Sequence, residues 1–405
     1  MKKQILICAI FLGLTAGQAS CLMQPVYGWG FPFKKNNQKK EQVYLDMAQS
    51  VFDSKNYHMA VEYYTKAVEV NPRNADTYAK RGNAKFMTGA YKDAVKDYTK
   101  ALELDPLREN TYYNRGIAKS NLKAYEEVIE DYTKEIEINP ANINAYLNRG
   151  TTRVLLKQYD DAIADFTKVI ELESKNELAY YNRGIAKRYK GDIRGAICDY
   201  SEVIKIDNSN VDAYNNRGAA KFYLKDYNGA ISDYTKVVEL NKNFGKVYYN
   251  LGIAKLGLKN YEGAILDFTK ELEINPKNDL AYYERAVAQS KLDNFAPAIE
   301  DYTKAIEINP KNADYYAERG ALVSKIEGDL KSAQEDLNNA IKLDGNDFEK
   351  YMTRAIIFCK LKLYHAAIDD LNIVIKMSPG NTQAYDLRSY ALQQLSQSGF
   401  NETGK

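Results

Sequence analysis

Arginine and aspartate residues recur in this chain at fixed intervals, and their charges suggest regular ion pairing. An arginine followed by glycine returns every 34 residues, at Arg81, Arg115, Arg149, Arg183 and Arg217. An aspartate follows each of them 16 residues later, at Asp97, Asp131, Asp165, Asp199 and Asp233. A guanidinium binds a carboxylate through two parallel hydrogen bonds. The spacing predicts a structural ladder of ion pairs within each repeat, with pairing between adjacent repeats as the alternative.

The ladder continues toward the C-terminus with one interruption. Further aspartates stand at Asp267, Asp301, Asp336 and Asp370. Leu251 occupies the place of the arginine that would pair with Asp267. We therefore expect Asp267 to be the one aspartate of the ladder without a cationic partner.

A column of asparagines directly precedes the arginine position in five consecutive repeats, at Asn114, Asn148, Asn182, Asn216 and Asn250. A carboxamide both donates and accepts hydrogen bonds, so it can bind a peptide unit without reading the side chain. Tyrosines precede three of the asparagines, at Tyr113, Tyr181 and Tyr249. The asparagines are either a peptide-binding column or ordinary polar surface. The tyrosines either widen the contact surface or pack between adjacent first helices.

Residues suited to catalysis or metal binding are few and far apart. His58 and His365 are the only histidines, nine repeats apart, and cannot share a metal ion. No Cys/His cluster has zinc spacing, and neither a phosphate-binding glycine loop nor a Gly-x-Ser-x-Gly elbow is present. The sequence predicts no catalytic residues, no metal and no cofactor, and hence no enzyme.

The elements that position these columns follow from the repeat itself. If the residue after the arginine is called position 8, ten repeats start at residues 41, 75, 109, 143, 177, 211, 245, 279, 313 and 348, and a half-repeat starts at 382. Apolar residues at three-to-four spacing predict two helices per repeat, over 75–88 and 91–104 in the second one. Breakers such as Thr88-Gly89 join them into a hairpin.

The recurring residue types resemble the tetratricopeptide (TPR) repeat, which has small, aromatic, alanine and proline residues at set positions. In the second repeat these are Tyr78, Gly82, Tyr91, Ala94, Tyr98, Ala101 and Pro106. The resemblance implies an all-α fold, a right-handed α-solenoid superhelix of stacked helix-turn-helix hairpins over residues 41–398, with a capping helix from 382. It also implies that positions 2, 5, 6, 9, 12 and 13 line a concave groove that binds a protein or an extended peptide. The asparagine column lies at position 6.

One activity of similar proteins is not expected. Chaperone-binding members of the family hold a C-terminal carboxylate with lysine at position 5 and asparagine at position 9. Here those positions carry Tyr113 and Ile117, and the single match, Asn83, stands beside Ala79.

The segments outside the repeats suggest export. Residues 1–20 combine Lys2 and Lys3, an apolar run and small residues, which is the layout of a signal peptide. Residues 21–40 are expected to form a flexible tether, and residues 399–405 a disordered tail. Cys21 follows Ala19-Ser20 and resembles the lipidated cysteine of bacterial lipoproteins. The expected location is periplasmic, envelope-attached through Cys21, or extracellular.

Charge and cysteine content narrow the partners further. The net charge is +2, and residues 41–405 carry −4 because the six lysines before residue 41 have no acidic counterpart. Nucleic acid is therefore not an expected partner. Cys198 and Cys359 are expected to be packed thiols without a disulfide. The proline that ends the second helix is replaced by Ser174, Asn208 and Lys242 in three consecutive repeats, which leaves a hinge there as an open alternative.

Together these features predict a non-catalytic scaffold that binds a partner protein or peptide in the groove. Two alternatives remain at this stage: a self-associating structural protein of the cell envelope, and a glycan-binding envelope protein. The oligomeric state and the identity of the partner are open.

Overall fold

The structure is a computed structural model that describes residues 32–326 and 329–402. These residues form twenty-one helices and no strand, which confirms the predicted all-α class of tandem helical hairpins. The predicted signal peptide and Cys21 lie outside the described residues. The helices are α1 (Pro32–Asp53), α2 (Tyr57–Val70), α3 (Ala75–Met87), α4 (Tyr91–Leu104), α5 (Thr111–Asn121), α6 (Tyr125–Ile138), α7 (Ile143–Leu155), α8 (Tyr159–Leu172), α9 (Glu177–Lys190), α10 (Ile193–Ile206), α11 (Val211–Tyr223), α12 (Tyr227–Leu240), α13 (Val247–Gly257), α14 (Tyr261–Ile274), α15 (Asp279–Lys291), α16 (Phe295–Ile308), α17 (Ala313–Lys325), α18 (Leu330–Leu343), α19 (Phe348–Lys360), α20 (Tyr364–Met377) and α21 (Thr382–Glu402).

The chain divides into two compact units, Met1–Glu127 and Val128–Lys405. In the first unit, α1 pairs with α2, α3 pairs with α4, and each hairpin packs on the next helix. In the second unit the same pattern runs from α7 to α20, and α21, the last described helix, packs on α20 in the place of a first helix. Within each unit a helix therefore touches its neighbours in sequence, as repeat proteins do.

Asparagine and aspartate caps set where most helices begin. Asn176 Oδ1, for example, accepts a hydrogen bond from the amide of Ala179 at 2.9 Å and so caps α9. The turn between the two helices of a repeat needs a left-handed residue at position 15, which is glycine at Gly89 and Gly191. Elsewhere that position is Lys55, Lys123, Lys157, Lys225, Lys259, Asp293 and Lys362, all with positive φ.

Close approach of the two helices in a hairpin requires the small residue at position 8. A Cβ on Gly184 would lie 2.8 Å from Cε1 of Tyr200, whose ring is fully buried against this glycine. The same contact joins Gly150 to Phe166 and Gly218 to Tyr234. Position 8 therefore fixes the spacing at which the ladder residues of the two helices meet.

The structure differs from the sequence expectations at several boundaries. Helix α1 begins at Pro32, so residues 32–40 of the predicted tether are helical, and α21 continues to Glu402 beyond the predicted end of the cap at 398. Helices α5 and α13 begin at Thr111 and Val247, two residues after the predicted repeat starts, behind the left-handed residues Asn110 and Lys246.

Candidate functional site

The ladder arginines of the second unit each bind two neighbouring second helices. Arg183 donates from Nε and Nη2 to the two carboxylate oxygens of Asp199, at 3.0 and 2.8 Å. Its Nη1 donates to Thr167 Oγ1 in the preceding repeat at 3.0 Å. The guanidinium also lies over the ring of Tyr180, 5.5 Å from its centroid. Pairing within a repeat and contact between adjacent repeats therefore occur together.

The same three-way contact recurs in the other repeats. Arginines 149, 217, 285, 319 and 354 each hold the aspartate that follows and a Thr, Ser or Asn oxygen 16 residues earlier. In the first unit Arg81 binds Asp97 and Thr65 in the same way. Arg115 donates to Thr99 at 3.1 Å, whereas Asp131 belongs to the second unit, where it is buried. Arg285 donates to both carboxylate oxygens of Asp301, and this hydrogen bonding raises the pKa of the Arg285 guanidinium above its usual value.

A second cation reaches most of the ladder aspartates, from position 11. Lys187 Nζ lies 2.8 Å from Asp199 Oδ2, one helical turn beyond Arg183. Equivalent contacts join Lys85 to Asp97, Arg153 to Asp165 and Lys221 to Asp233. The sequence analysis missed this position, although its cations recur with the same period.

The expectation that Asp267 lacks a cationic partner is wrong. Lys255, at position 11, lies 2.7 Å from Asp267 Oδ2 and supplies the charge that Leu251 does not. One ammonium does not replace a bidentate guanidinium, however. Burial raises the pKa of Asp267 above its usual value, in spite of the opposing effect of Lys255. Asp267 is therefore the weakest pairing among the ladder aspartates described above.

The asparagine column is less uniform than its sequence suggests. Asn216 is buried, with 8% of its surface exposed, and its Nδ2 donates to the hydroxyl of Tyr181 at 2.9 Å. Asn114, in the first unit, donates to Asn83 Oδ1 at 3.2 Å. Asn148 is half-buried and has interactions of its own. The side chains of Asn182 and Asn250 are half-buried and make no hydrogen bond to any described residue.

A sixth amide lies beside this column and was not singled out from the sequence. Asn215 stands at position 5, directly before Asn216, and its Oδ1 is buried without a hydrogen-bond partner in the described part of the chain. A buried acceptor without a partner costs about 1–3 kcal/mol. The amides of Asn182, Asn215 and Asn250, in three consecutive repeats, therefore have no hydrogen-bond partner in the described part of the chain, and among them the Oδ1 of Asn215 is also buried.

The tyrosines at position 5 pack mainly against the second helix of their own repeat. The ring of Tyr181 lies 6.0 Å from that of Tyr200, and the ring of Tyr249 lies 5.9 Å from that of Phe268. Burial raises the pKa of both Tyr181 and Tyr249 to about 12. These ring contacts are to second helices and not between adjacent first helices, where the packing interpretation placed them. Tyr113 is half-buried and also has interactions of its own.

We call the surface formed by positions 2, 5 and 6 of the odd-numbered helices, the first helices of the repeats, the first-helix face. A cavity opens on this face further toward the C-terminus. It has a volume of about 150 Å³ and is lined by residues of α15, α17, α18 and α19, among them Tyr283, Asp314, Glu318, Glu349 and Thr353. Glu284 and Glu318 occupy position 6, where the preceding repeats carry asparagine. Burial raises the pKa of both carboxyls. Positions 2, 5 and 6 therefore meet at a recess in this part of the second unit.

Other sequence expectations can be compared with the described residues. Cys359 is half-buried, and its burial raises the pKa of the thiol, but Cys198 is exposed, so the expectation of a packed thiol is wrong there. Both are free thiols. Residues 32–326 and 329–402 contain no cluster of side chains that could hold a metal ion. None of their helices combines the length and the apolar character needed to cross a membrane.

Comparison with known proteins identifies the family. Two models, each described as tetratricopeptide repeat, match residues 75–106, 211–244 and 280–312, and residues 41–74, 109–142, 143–176 and 245–278. A third, described as TPR repeat, matches residues 184–224. The chain belongs to the tetratricopeptide repeat family, whose members are protein-interaction scaffolds. No curated protein matches it.

Solved structures agree in fold. The C-terminal part of a TPR repeat-containing protein from Cytophaga hutchinsonii is 24% identical, with a TM-score of 0.51 over 57% of this chain and 94% of that one. A tetratricopeptide repeat protein from Parabacteroides merdae is 21% identical, with a TM-score of 0.45 over 62% and 99% of the two chains. YrrB, described as a TPR protein with an unusual peptide-binding site, is 25% identical, with a TM-score of 0.41 over 45% and 94%. Only the TM-score of the Cytophaga hutchinsonii structure exceeds 0.5, and this similarity supports the fold and not a function.

Proposed function

We propose that this protein is a non-catalytic scaffold that binds an extended peptide segment of a partner protein along the first-helix face of its second unit. The observation that carries the proposal is the pair of half-buried amides at Asn182 and Asn250, which make no hydrogen bond to any described residue, with Asn215 in the repeat between them. Asn182 and Asn250 can each donate to a peptide carbonyl and accept from a peptide N–H. The cavity at Glu318 lies further along the same unit, and its lining has four acidic side chains, Asp314, Glu318, Asp347 and Glu349, against one lysine, Lys350, so it would favour a lysine or arginine on the bound segment.

The geometry changes which asparagines should be tested. Asn216 is engaged with Tyr181, so its replacement would disturb packing as well as binding. Asn182 and Asn250 have no such role, and we expect Asn182→Ala/Asn250→Ala to fold normally. Asn228→Ala/Asn339→Ala provides a matched control, because these two asparagines are exposed on the second helices α12 and α18.

The test uses peptides selected from a random library on the wild-type chain, with affinities measured by fluorescence polarisation. We expect the Asn182/Asn250 variant to lose about tenfold or more in affinity, equivalent to about 1.4 kcal/mol, and the control variant to lose nothing. Methylation of single backbone nitrogens in a selected peptide should weaken binding to the wild type and have little further effect on the variant. Equal binding by both variants, or no effect of methylation, would refute Asn182 and Asn250 as the site.

The alternatives lack a comparable observation. Glycan binding requires open aromatic faces, and Tyr181 and Tyr249 lean on Tyr200 and Phe268 instead. Tyr223, which is 71% exposed, remains an open aromatic side chain. Light scattering of the purified chain tests self-association directly.

We also propose that the protein is exported, on the basis of the signal-like residues 1–20 and the resemblance around Cys21. Cell fractionation and N-terminal sequencing test export, and labelling with a radioactive fatty acid in wild type and Cys21→Ser tests lipidation. Recovery of an unprocessed chain in the cytosol would refute the proposed location.

A further inference from the structure

The hydrogen bonding that recurs at the ladder arginines of the second unit, accompanied by a tyrosine ring at all of them but Arg319, is incomplete at its last position. Arg354 has all three parts: it lies over the ring of Tyr351, donates to Asn338 at 2.7 Å, and binds both oxygens of Asp370 at 2.8 and 2.7 Å. The aspartate comes from α20, the second helix of that repeat. It is this second helix that buries the arginine and completes its hydrogen bonding.

Arg388 on α21 has the tyrosine ring and the asparagine contact but lacks the aspartate. Its guanidinium lies 5.4 Å from the ring centroid of Tyr385, and its Nη1 donates to Asn372 Oδ1 at 2.9 Å. No described carboxylate pairs with it, because α21 is a first helix that no described second helix follows. The Nε and Nη2 edge, which binds aspartate in the other repeats, has no acceptor among residues 32–326 and 329–402.

The surface beside Arg388 is also the one that a second helix would cover. Ser389 is exposed at position 8, whereas its counterpart Ala355 is fully buried in the cluster that contains Leu371. Leu392 is 50% exposed, whereas its counterpart Phe358 is 7% exposed. Tyr385 is 39% exposed. A small residue, two apolar side chains and a half-satisfied guanidinium therefore share one open face.

We propose that this face of α21 is a second interaction surface, independent of the first-helix groove, and that it docks an amphipathic helix of a partner protein. The partner helix carries aspartate next to leucine, with alanine three residues before the aspartate, and its carboxylate binds Nε and Nη2 of Arg388. This pattern is the one with which the last two complete repeats bind their own arginines, as Ala333-x-x-Asp336-Leu337 and Ala367-x-x-Asp370-Leu371. Leucine suits Ser389, because Leu371 packs in the same cluster as Ala355, the counterpart of Ser389 in the preceding repeat.

Charge and composition argue for a different protein as the occupant. Residues 1–40 contain no aspartate or glutamate, so they cannot provide the carboxylate. Helix α2, which is the second helix of the first repeat, carries Tyr63 in place of the ladder aspartate. In the second helices from α4 to α20 the ladder aspartate is buried, except in α14, where it is bound to Lys255. A second copy of the folded chain therefore has no such helix to offer.

The experiment uses the full chain and a helix-stabilised peptide with the sequence of residues 364–377, which contains the required pattern. We expect saturable binding by fluorescence polarisation. Replacing the peptide residue that corresponds to Asp370 with asparagine should weaken binding about tenfold or more, since a charge-assisted pair is lost. Arg388→Gln in the protein should have the same effect, and combining the two changes should cost little more than either alone.

Two further variants keep the result interpretable. Ser389→Trp blocks close approach of a helix at an exposed position, so it should abolish binding without affecting folding. Lys376→Gln removes an exposed positive charge from α20 and should leave binding unchanged. The proposal is overturned if the peptide does not bind, or if it binds Arg388→Gln and Ser389→Trp as well as wild type. Dimerisation of the chain that Arg388→Gln abolishes would also overturn it, in favour of a second copy as the occupant.

Discussion

Several ladder aspartates of the central repeats pair with two cations from one helix while they are themselves almost fully buried. Asp199 receives Arg183 and Lys187, and its side chain is only 3% exposed. Removing one partner of a buried pair leaves the other charge unpaired, at a cost of about 3–5 kcal/mol. We therefore expect Asp199→Asn to lower the free energy of unfolding by an amount near the lower end of this range, because the amide still accepts one hydrogen bond.

Asp160→Asn is the matched control for that measurement. Asp160 pairs with Lys190 on the surface, where both side chains are largely exposed, and such pairs contribute about 0–1 kcal/mol. Urea denaturation of both variants measures the difference. A small effect of Asp199→Asn, comparable to the control, would contradict a structural role for the ladder.

Leu251 offers the reverse experiment, because the rest of the arginine contact is already in place around it. Tyr248 and Thr235 occupy the positions of the tyrosine and threonine that contact the arginine in other repeats. Asp267 is paired with Lys255 alone. Leu251→Arg should restore the bidentate pair. Each charge-assisted hydrogen bond contributes about 1.5–3 kcal/mol, and a bidentate pair has two of them, whereas the buried leucine side chain contributes about 1.5–3 kcal/mol once, so a net gain of about 1 kcal/mol or more is expected.

The pH dependence of this gain identifies its cause. In the wild type, burial raises the pKa of Asp267, so its favourable contribution is complete at acidic pH and is lost as pH rises through the raised value. In Leu251→Arg the guanidinium should lower that pKa, and the contribution should appear above the unfolded-state value and vanish as pH falls. The stability difference between the two proteins should therefore grow from pH 3 to pH 7. Carboxyl NMR titration of Asp267 measures the pKa directly, and an unchanged pKa would contradict the restored pair.

The residue-scale contacts differ in how far the sequence predicts them. The Arg–Asp pairs follow from a spacing of 16 residues, which places both residues on facing sides of one hairpin. The cation at position 11 has an equally visible period, but it can be recognised only when position 7 and position 11 are placed on the same helical face. The bond between Asn216 and Tyr181 joins adjacent repeats through a tyrosine hydroxyl, and its formation depends on side-chain rotamers that no spacing reveals.

At the scale of the helix, the missing prolines do not change where the second helices end. Helices α8, α10 and α12 stop at Leu172, Ile206 and Leu240, two residues before the substituted positions 174, 208 and 242. Helix α14 likewise stops at Ile274, two residues before Pro276. The residues that follow these helices have similar extended conformations with and without the proline. The second helices therefore end at the same position in the absence of proline.

This equivalence predicts that Ser174→Pro stabilises the protein. Glu173 has φ −138° and ψ 91°, a conformation that the residue before proline favours. The substitution lowers the entropy of the unfolded chain, and we expect a gain of about 0.4–1 kcal/mol in thermal denaturation. Glu173→Pro is the control: its amide donates to Val169 at 2.7 Å, so proline there should destabilise the protein. A loss of stability with Ser174→Pro would point to the hinge alternative.

Helix α1 shows why some element boundaries escape sequence analysis. Four lysines and a glycine-containing N-terminal flank suggested a linker, yet no helix-breaking residue follows Pro32 before Asp53. Proline is well tolerated in the first turn, and lysine and glutamine are good helix formers. The late starts of α5 and α13 have another cause, since Asn110 and Lys246 adopt left-handed conformations that the repeat pattern does not reveal.

At the scale of the whole molecule, stability in each unit is built from contacts between successive helices. In the second unit α9 touches α8, α10, and to a small extent α7, and nothing joins it to the distant hairpin of α19 and α20. Repeat proteins of this kind have stabilities that approximate a sum of repeat and neighbour terms. A disturbance in one hairpin should therefore spread to its neighbours and fade beyond them.

Hydrogen exchange of Asp199→Asn tests that locality. The variant should exchange faster in α9 and α10, which share Asp199 and Arg183, and in α8, which holds Arg183 through Thr167. Amides of α19 and α20 should keep wild-type rates. Asp370→Asn should give the reciprocal pattern, with acceleration in α18–α21 and none in α8–α10. If both variants accelerate exchange throughout Val128–Lys405, the unit opens as one cooperative block, and binding at the first-helix face and at α21 would be coupled rather than independent.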